Sequence, residues 1–187
     1  MTTAGVAPPA GRWWPVAAVR RAWVRGTASW LLGGRAVILD VETTDLDGAI
    51  CQIAVIDTAG RVLVDTLVNP EMPCSPEASA VHGLVDEDLV DAPSWAQVWP
   101  QIQEAVGGRR VLAYNAPFDY GRVLAACVRA GLPAGAVADP RRWWCVMRAR
   151  ADVEGGPWQR LGGAHEALDD VRVTLGVVKS LSWSRRR

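Results

Sequence analysis

The stretch 36–46, AVILDVETTDL, constrains the fold of this chain more than any other. It begins with a short apolar run that predicts a buried β-strand, and it continues directly into Asp40 and Glu42. Because strand residues two positions apart point to the same side, both carboxylates can reach one spot. Two such carboxylates repel each other unless a proton or a cation intervenes, and hard divalent ions prefer oxygen ligands. Taken alone, the stretch is also typical of a solvated strand end, so its interpretation depends on the residues downstream.

The length and composition suit one compact α/β domain with a modest extension. The chain has 187 residues, half of them hydrophobic, and a domain of this size can bury about 70% of its unfolded surface without disulfides or a structural metal. Four widely spaced cysteines without a Cys-x-x-Cys pair, and only two histidines, argue against a zinc site and a secreted disulfide framework. No signal peptide or membrane-spanning stretch is recognisable, so we expect a cytoplasmic protein with no membrane partner.

The formal net charge is zero, but the charges are unevenly distributed. The first 35 residues contain five arginines and no acid, and residues 185–187 are all arginine, which leaves twelve basic and twenty acidic residues between them. An acidic body with basic ends is unusual for a protein that only binds nucleic acid. It is reasonable for a body whose acids are partly balanced by bound Mg²⁺ or Mn²⁺.

Residues 13–32 are predicted to form a helix rich in tryptophan and arginine. The apolar side chains that fall near one face of it are Val16, Val19, Trp23 and Trp30. An extra helix packed on the domain, a partner or dimer contact, and a membrane-surface helix are the three alternatives for this segment. The predicted organisation is therefore an N-terminal extension at 1–34, a main domain at 35–184 and a basic tail at 185–187.

The rest of the chain alternates strand and helix signals. Strands are predicted at 36–39, 50–56, 62–68 and 111–114, and helices at 94–106, from about 115 to 130 and at about 167–183. The run Arg141-Arg142-Trp143-Trp144 is predicted to lie at or near the start of another helix. Because the first three strands follow one another like an antiparallel meander and the later one alternates with helices, we expect a mixed sheet covered by helices.

Three acidic motifs follow one another along the chain, and His82-Gly83 lies between the first two. The motifs are DVETT at 40–44, NAPFD at 115–119 and HEALDD at 165–170. With these motifs in this order, the chain resembles the DEDDh family of 3′–5′ exonucleases, which includes bacterial proofreading subunits, RNase T and oligoribonuclease. The resemblance covers residues 36–182 and implies an α/β, ribonuclease H-like exonuclease fold with a mixed five-stranded sheet flanked by helices.

The resemblance assigns a catalytic role to five side chains. His165 would be the general base, and two divalent ions, Mg²⁺ or Mn²⁺, would be bound by Asp40, Glu42, Asp119 and Asp170. Two such ions can activate water and stabilise the charge that develops on a phosphodiester, and a histidine can accept a proton near neutral pH. A helix-capping role for His165 and a first-turn helix acid at 119 are the structural alternatives. The residues alone do not choose between Asp169 and Asp170, but the family's spacing selects Asp170.

The resemblance also indicates which residues would bind the terminal nucleotide. They are Thr43, Thr44, Leu46, His82, Asn115 and Phe118. A core position for Phe118 and a structural hydrogen bond for His82 are equally reasonable. The residues Arg141, Trp143 and Trp144 are candidates either for contacts with single-stranded nucleic acid or for buried packing.

The chain departs from the family at Asp45, where a glycine is usual. Aspartate tolerates a positive φ better than most residues, so we expect the turn to be kept. Its negative charge lies near the entering phosphates, and we expect it to weaken or alter substrate binding. If Asp45→Gly left the affinity for single strands unchanged, this expectation would be wrong.

The sequence thus predicts a metal-dependent 3′–5′ exonuclease that releases nucleoside 5′-monophosphates from the 3′ end of single-stranded nucleic acid, with DNA favoured over RNA. The alternatives are an exoribonuclease or RNA-trimming enzyme of the same fold, and a non-catalytic nucleic-acid-binding module. No residue is assigned to the recognition of the 2′-hydroxyl. No polymerase-binding or clamp-binding segment is recognisable, which leaves a homodimer and a polymerase or repair protein open as partners.

Overall fold

The structure of the chain is a computed structural model that describes residues 16–163 and 165–183. Its helices are α1 (Val16–Leu32), α2 (Pro76–His82), α3 (Asp86–Leu89), α4 (Trp95–Val106), α5 (Ala116–Arg129), α6 (Val146–Glu154) and α7 (Ala167–Leu181). Its strands are β1 (Ala36–Thr43), β2 (Ile50–Asp57), β3 (Val62–Leu67), β4 (Arg110–Ala113) and β5 (Trp143–Cys145). In this part of the chain, no helix combines the length and the apolar character needed to cross a bilayer. The predicted basic tail and the first three residues of the predicted helix at 13–32 lie outside the described residues.

The five strands form one mixed sheet in the order β3-β2-β1-β4-β5. The strands β1, β2 and β3 form the predicted antiparallel meander, with Asp40 opposite Ala54 and Glu42 opposite Gln52. The strand β4 pairs in parallel with β1, and β5 pairs in parallel with β4. The expected mixed five-stranded sheet is therefore confirmed, and the acidic strand lies at its centre.

Helices cover both faces of the sheet, and each face has its own hydrophobic cluster. On one face, side chains of α4 and α5 pack on Val37, Leu39 and Val41 of β1. On the other face, side chains of α1, α6 and α7 pack on Ala36 and Ile38. Because residues 40 and 42 continue the second of these two series, both acids of β1 point to the face that α7 covers.

The segment Arg141-Arg142-Trp143-Trp144 lies just before a helix, as predicted, but it does not itself belong to that helix. It contains a short 3₁₀ turn, Pro140–Arg142, followed by β5, and α6 begins only at Val146. The indole of Trp143 donates a hydrogen bond to the carbonyl of Val137 at 2.9 Å, and the ring packs on the core. A strand of three residues is too short to show an alternating pattern, which is why the sequence did not reveal it.

The helix α1 packs through a different face from the predicted apolar stripe. Its buried residues are Val24, Ala28 and Leu31, which pack in the cluster shared with α6 and α7. By contrast, Trp23 is 63% exposed and Trp30 is 48% exposed. The helix is therefore packed on the domain through this other face, and the apolar stripe leaves large aromatic side chains in solvent.

Candidate active site

Asp40 and Glu42 lie at the end of β1 where β4 no longer pairs with it. The parallel pairing of these strands ends at Ile38 and Leu112, which opens this end of the sheet to other groups. Burial, followed by the charge of Asp119 and of Glu42, raises the pKa of Asp40 well above its usual value. Burial, followed by the charge of Asp170, raises the pKa of Glu42 to about 7. These carboxyl groups are crowded and poorly solvated, so each favours its proton in the absence of a cation.

Asp119 reaches the same place from α5. It is 3% exposed and lies in the first turn of that helix, which begins directly after β4. The backbone amide of Val41, between the two acids of β1, donates a hydrogen bond to its carboxylate. Burial nevertheless raises the pKa of Asp119 to about 8. Asp119 therefore closes the α5 side of the acidic cluster.

Asp170 and His165 come from the start of α7. A potential ligand atom of Glu42, one of His165 and one of Asp170 all lie within 4.8 Å of one another. Asp170 is 6% exposed, and its Oδ1 is buried without a hydrogen-bond partner among residues 16–163 and 165–183. Asp169, the alternative, is exposed and forms an ion pair with Arg172 at 3.1 Å. Asp170 therefore lies on the face of α7 that is directed towards the other acids, and Asp169 lies on the face directed towards solvent.

His165 has a left-handed backbone conformation, with φ of 54°. This conformation costs a residue with a Cβ on the order of 1–2 kcal/mol, and such strain is common at functional sites. His165 is exposed and lies where the chain enters α7. Its imidazole therefore borders the acidic cluster on the side that solvent can reach.

Glu166 and Gln52 fix the start of α7 against the sheet, and the sequence interpretation missed both. The carboxylate of Glu166 accepts hydrogen bonds from the backbone of Asp169 and from Gln52 Nε2, each at 3.0 Å. The other end of the same amide, Gln52 Oε1, accepts from the backbone of Ala167 at 3.1 Å. Gln52 therefore ties the start of α7 to β2, at the position opposite Glu42 of the acidic strand. The available signal was a single amide within the otherwise apolar run ICQIAVI.

The loop after β1 is held by hydrogen bonds within itself. The backbone of Thr44 donates to the carbonyl of Ala49 at 2.8 Å, and its Oγ1 accepts from the backbone of Ala49 at 3.0 Å. Thr43 and Thr44 are buried, whereas Leu46 is 79% exposed. Of the three residues predicted here to contact a nucleotide, Leu46 is the one whose side chain reaches into solvent.

Asp45 occupies its position without a positive φ. Among the residues that the structure describes, the non-glycine residues with positive φ are Glu71 and His165. The side chain of Asp45 accepts a hydrogen bond from the backbone of Leu46 at 2.7 Å. The backbone of this chain therefore does not require the glycine that is usual in the family.

Asn115 and Phe118 lie at the start of α5. Asn115 is exposed and, within the described residues, its side chain makes no capping hydrogen bond to the helix. Phe118 is half-buried and packs on the core, and the guanidinium of Arg122 lies over its ring at 6.0 Å from the centroid. Arg122 also pairs with Asp47 at 3.3 Å, which ties α5 to the loop after β1.

His82, at the end of α2, lies against the backbone of the acidic strand. Its Nδ1 accepts a hydrogen bond from the backbone of Leu84 at 3.1 Å, so the proton is on Nε2. That Nε2 is 3.3 Å from the carbonyl of Thr43, to which it donates. The same nitrogen is 3.9 Å from Cys51 Sγ, and Cys74 is close to both. This arrangement favours the structural role for His82, since both ring nitrogens have partners in the protein.

The acidic cluster suits hard divalent cations. Such ions prefer carboxylate oxygens, and four carboxylates from β1, α5 and α7 are available here. A bound cation would relieve the repulsion and poor solvation that raise the pKa values of these acids. Within residues 16–163 and 165–183 the buried Oδ1 of Asp170 has no hydrogen-bond partner, which leaves it available as a ligand atom. The donor set therefore fits Mg²⁺ or Mn²⁺.

Comparison with known proteins agrees with this chemistry. The family model RNase_T, described as an exonuclease, matches residues 37–178. The chain is 31% identical over 176 residues to a protein named uncharacterized exonuclease CP81 of Escherichia phage 186, covering 82% of this chain and 90% of that protein. It is 34% identical over 99 residues to the DNA polymerase III subunit epsilon of Pasteurella multocida, covering 46% of this chain but only 39% of that subunit.

A solved structure of an exonuclease has a fold similar to that of this chain. Exonuclease X in complex with 5′ overhanging duplex DNA matches with a TM-score of 0.52 and 27% sequence identity, over 78% of this chain and 90% of that chain. The mixed sheet flanked by helices is thus the ribonuclease H-like exonuclease fold that the motifs predicted.

Proposed function

The chain belongs to the RNase T exonuclease family, and we propose that it removes nucleotides one at a time from the 3′ end of single-stranded nucleic acid, preferentially DNA. The observation that carries this proposal is the meeting of four carboxylates and one imidazole at a single end of the sheet. The DNA complex of the related exonuclease X supports the choice of DNA. The products would be nucleoside 5′-monophosphates.

In this proposal, two divalent cations are held by Asp40, Glu42, Asp119 and Asp170. When bound, such ions activate water and stabilise the charge that develops on a phosphodiester during hydrolysis. The four carboxylates supply the compensating negative charge. Because they project from a central strand and from the first turns of two helices, packed secondary structure fixes their positions.

We assign to His165 the role of general base. It borders Glu42 and Asp170 on the exposed side of the cluster, where an attacking water can approach. A neutral imidazole near pH 7 can take one proton from that water as its oxygen bonds to phosphorus. The bond from phosphorus to the 3′-oxygen breaks, and that oxygen leaves as the new 3′-hydroxyl once it is protonated. The released nucleotide keeps the phosphate on its 5′-oxygen.

The terminal nucleotide would lie between the loop after β1 and the start of α5. Leu46 offers an exposed apolar surface to a base, and Asn115 offers a side-chain amide without a capping partner in the described structure. Phe118 lies in the first turn of the same helix, where its backbone amide donates to the carbonyl of Asn115 at 2.8 Å. His82 supports this site indirectly through the backbone of Thr43.

A 5′-labelled oligonucleotide ladder tests the proposal. With Mg²⁺, and separately with Mn²⁺, we expect progressive shortening of a single strand from its 3′ end, and no shortening by Asp40→Asn or Asp170→Asn. Asp169→Asn is the matched control, because it removes the neighbouring acid that faces solvent, and it should keep its activity. Metal-dependent trimming by both site variants would contradict the assignment. The same ladder with RNA measures the sugar preference.

A further inference from the structure

We propose that the end of the sheet opposite the acids is a second binding surface, which holds the 5′ portion of a single-stranded nucleic acid. The inference rests on the proposed function, because the strand held there is the one whose 3′ end lies among the acids. We call this surface the arginine edge. It comprises Trp30, Arg35, Arg109, Arg110, Arg141 and Arg142.

The parallel arrangement of three strands brings these arginines to one end of the sheet. The strands β1, β4 and β5 are parallel, with Ala36 opposite Arg110 and Val111 opposite Trp143, so the residues that precede them meet at one end of the sheet. One or two arginines stand at the start of each strand. Asp40 is four residues beyond Ala36 on β1, which is about 13 Å at 3.3 Å per residue. The basic and the acidic surfaces therefore lie at opposite ends of the same strand.

Most of the charge at the arginine edge is not neutralised. Arg141 pairs with Asp139 at 2.9 Å. The other four arginines form no ion pair within 4.0 Å in the described part of the chain. They bond backbone carbonyls instead, as Arg142 does with the carbonyl of Arg109 at 2.8 Å. Each guanidinium has five N–H donors, so donors remain for an anion that reaches this surface.

Trp30 adds an aromatic side to the arginine edge. It is 48% exposed, and the guanidinium groups of Arg35 and Arg110 lie over its ring at 5.3 and 5.9 Å from the centroid. A neighbouring hollow is lined by Trp23, Trp30 and Trp144. Single-strand-binding proteins combine these two elements, because cationic side chains follow the phosphates while bases stack on aromatic rings.

These observations select one occupant. Four guanidinium groups without an acidic partner favour binding of a polyanion. The exposed indoles favour stacking with unpaired bases, which a single strand has and a duplex does not. An acidic protein segment would satisfy the arginines but would bring no bases to stack on the indole rings. Known single-strand sites cover roughly 4–16 nucleotides, which is enough for one strand to reach both ends of the sheet.

The test compares two double variants with equal loss of charge. Arg35→Gln with Arg110→Gln removes two exposed members of the arginine edge. Arg21→Gln with Arg129→Gln removes two exposed arginines from α1 and α5 outside it, and neither forms an ion pair in the described part of the chain. The readout is fluorescence anisotropy of a labelled strand of about 20 nucleotides in EDTA, over a range of salt concentrations.

We expect the edge variant to bind about tenfold more weakly near 0.1 M salt, and its slope of log affinity against log salt to be smaller by about 1.4. The control variant should differ from the wild type by less than about twofold, because isolated surface charges remote from a site contribute little. Trp30→Ala should weaken binding about fivefold or more while leaving the salt slope unchanged, because it removes stacking and no charge.

A small substrate separates this inference from the proposed function. The p-nitrophenyl ester of thymidine 5′-monophosphate reaches only the acidic end, so the edge variant should hydrolyse it at the wild-type rate. If the wild type cleaves neither ester nor oligonucleotide but the edge variant still loses strand binding, the proposed function fails and the arginine edge stands. Unchanged affinity and salt slope overturn the arginine edge. The arginine edge is also overturned if the control variant loses as much strand affinity as the edge variant, or if the edge variant loses ester hydrolysis as well. Tighter binding of polyglutamate than of the strand would overturn it too.

Discussion

Asp119 shows how single residues set the chemistry of this site. It is almost completely buried, yet its described hydrogen-bond donors are backbone amides, including that of Val41, rather than a cationic side chain. Its pKa of about 8 and that of Glu42, about 7, mean that both carboxyl groups retain protons near neutrality until a cation replaces them. Cation binding here therefore releases protons and should be tighter at higher pH.

The same two residues predict how stability depends on pH without metal. Their folded-state pKa values of about 7 and about 8 exceed the ordinary values of 4.5 and 3.8, so the folded chain binds more protons than the unfolded chain between these limits. The stability that these two carboxyl groups contribute is fully present below about pH 4 and is lost as the pH rises towards 8. We expect the Tm in EDTA to fall by at least about 3 °C between pH 5.5 and 8.5.

The measurement is a thermal melt in EDTA at both pH values, repeated with Mn²⁺. Asp119→Asn should flatten the dependence on pH, because it removes a titrating group, and Mn²⁺ should raise the Tm of the wild type more at pH 8.5 than at 5.5. A Tm that rises with pH in EDTA would show that these carboxyl groups ionise without penalty.

His165 allows catalysis and backbone strain to be separated. Asparagine tolerates a positive φ, such as the 54° of this residue, but cannot act as a base. His165→Asn should therefore lower kcat by about 10²–10⁴ and leave the Tm within about 1 °C of the wild type, while His165→Val should also lower the Tm. Oligonucleotide turnover and thermal melts give the two readouts. Near-normal kcat in His165→Asn would exclude the general-base role.

At the scale of secondary-structure elements, the contact between β2 and α7 determines whether the site is assembled. The side-chain amide of Gln52 donates a hydrogen bond to Glu166 and accepts one from Ala167, at the start of α7. Asp170 lies one turn further along the same helix. A small rotation or shift of α7 would move Asp170 and His165 relative to β1, so Gln52 acts as a positioning residue for both.

Gln52→Leu tests this positioning. It leaves the carboxylate of Glu166 and the amide of Ala167 without their partner, and we expect it to cost about 1–3 kcal/mol of stability. Misplaced ligands should also raise the Mg²⁺ concentration for half-maximal activity about tenfold. Gln101→Leu, at an exposed amide on α4, is the control. Equal Mg²⁺ dependence in both variants would show that Gln52 only stabilises the fold.

The sequence predicted those elements whose formation depends on residues within the element itself, and it missed those that depend on contacts with distant segments. The acidic strand, the meander and the helices α4, α5 and α7 follow from apolar periodicity and local capping, such as Ser94 before α4. The motifs named Asp40, Glu42, Asp119, His165 and Asp170, which the structure brings together. The strand β5 and the buried face of α1 depend on which surfaces those segments meet in the folded chain, and no local pattern records that. The Gln52–Glu166 contact joins residues 114 apart in sequence and was unpredictable for the same reason.

At the scale of the whole molecule, zero net charge conceals a strong separation of charge. The carboxyl ends of the parallel strands carry the acids, and their amino ends carry the arginines. An approaching polyanion is attracted by the arginines at the amino ends of these strands. Without that attraction, a long strand would have little advantage over a short one, since cleavage concerns only its last nucleotides.

Strand length and salt should therefore act together on the rate of trimming. We expect kcat/KM with Mg²⁺ to be at least about tenfold higher for a strand of about 20 nucleotides than for one of about 4 at 50 mM salt. At about 300 mM salt, where surface charges are strongly screened, most of this advantage should disappear. In Arg35→Gln with Arg110→Gln the ratio should be close to one at both salt concentrations. A length advantage that persists in this variant, or that salt does not reduce, would mean that long strands are held by a surface other than the arginine edge.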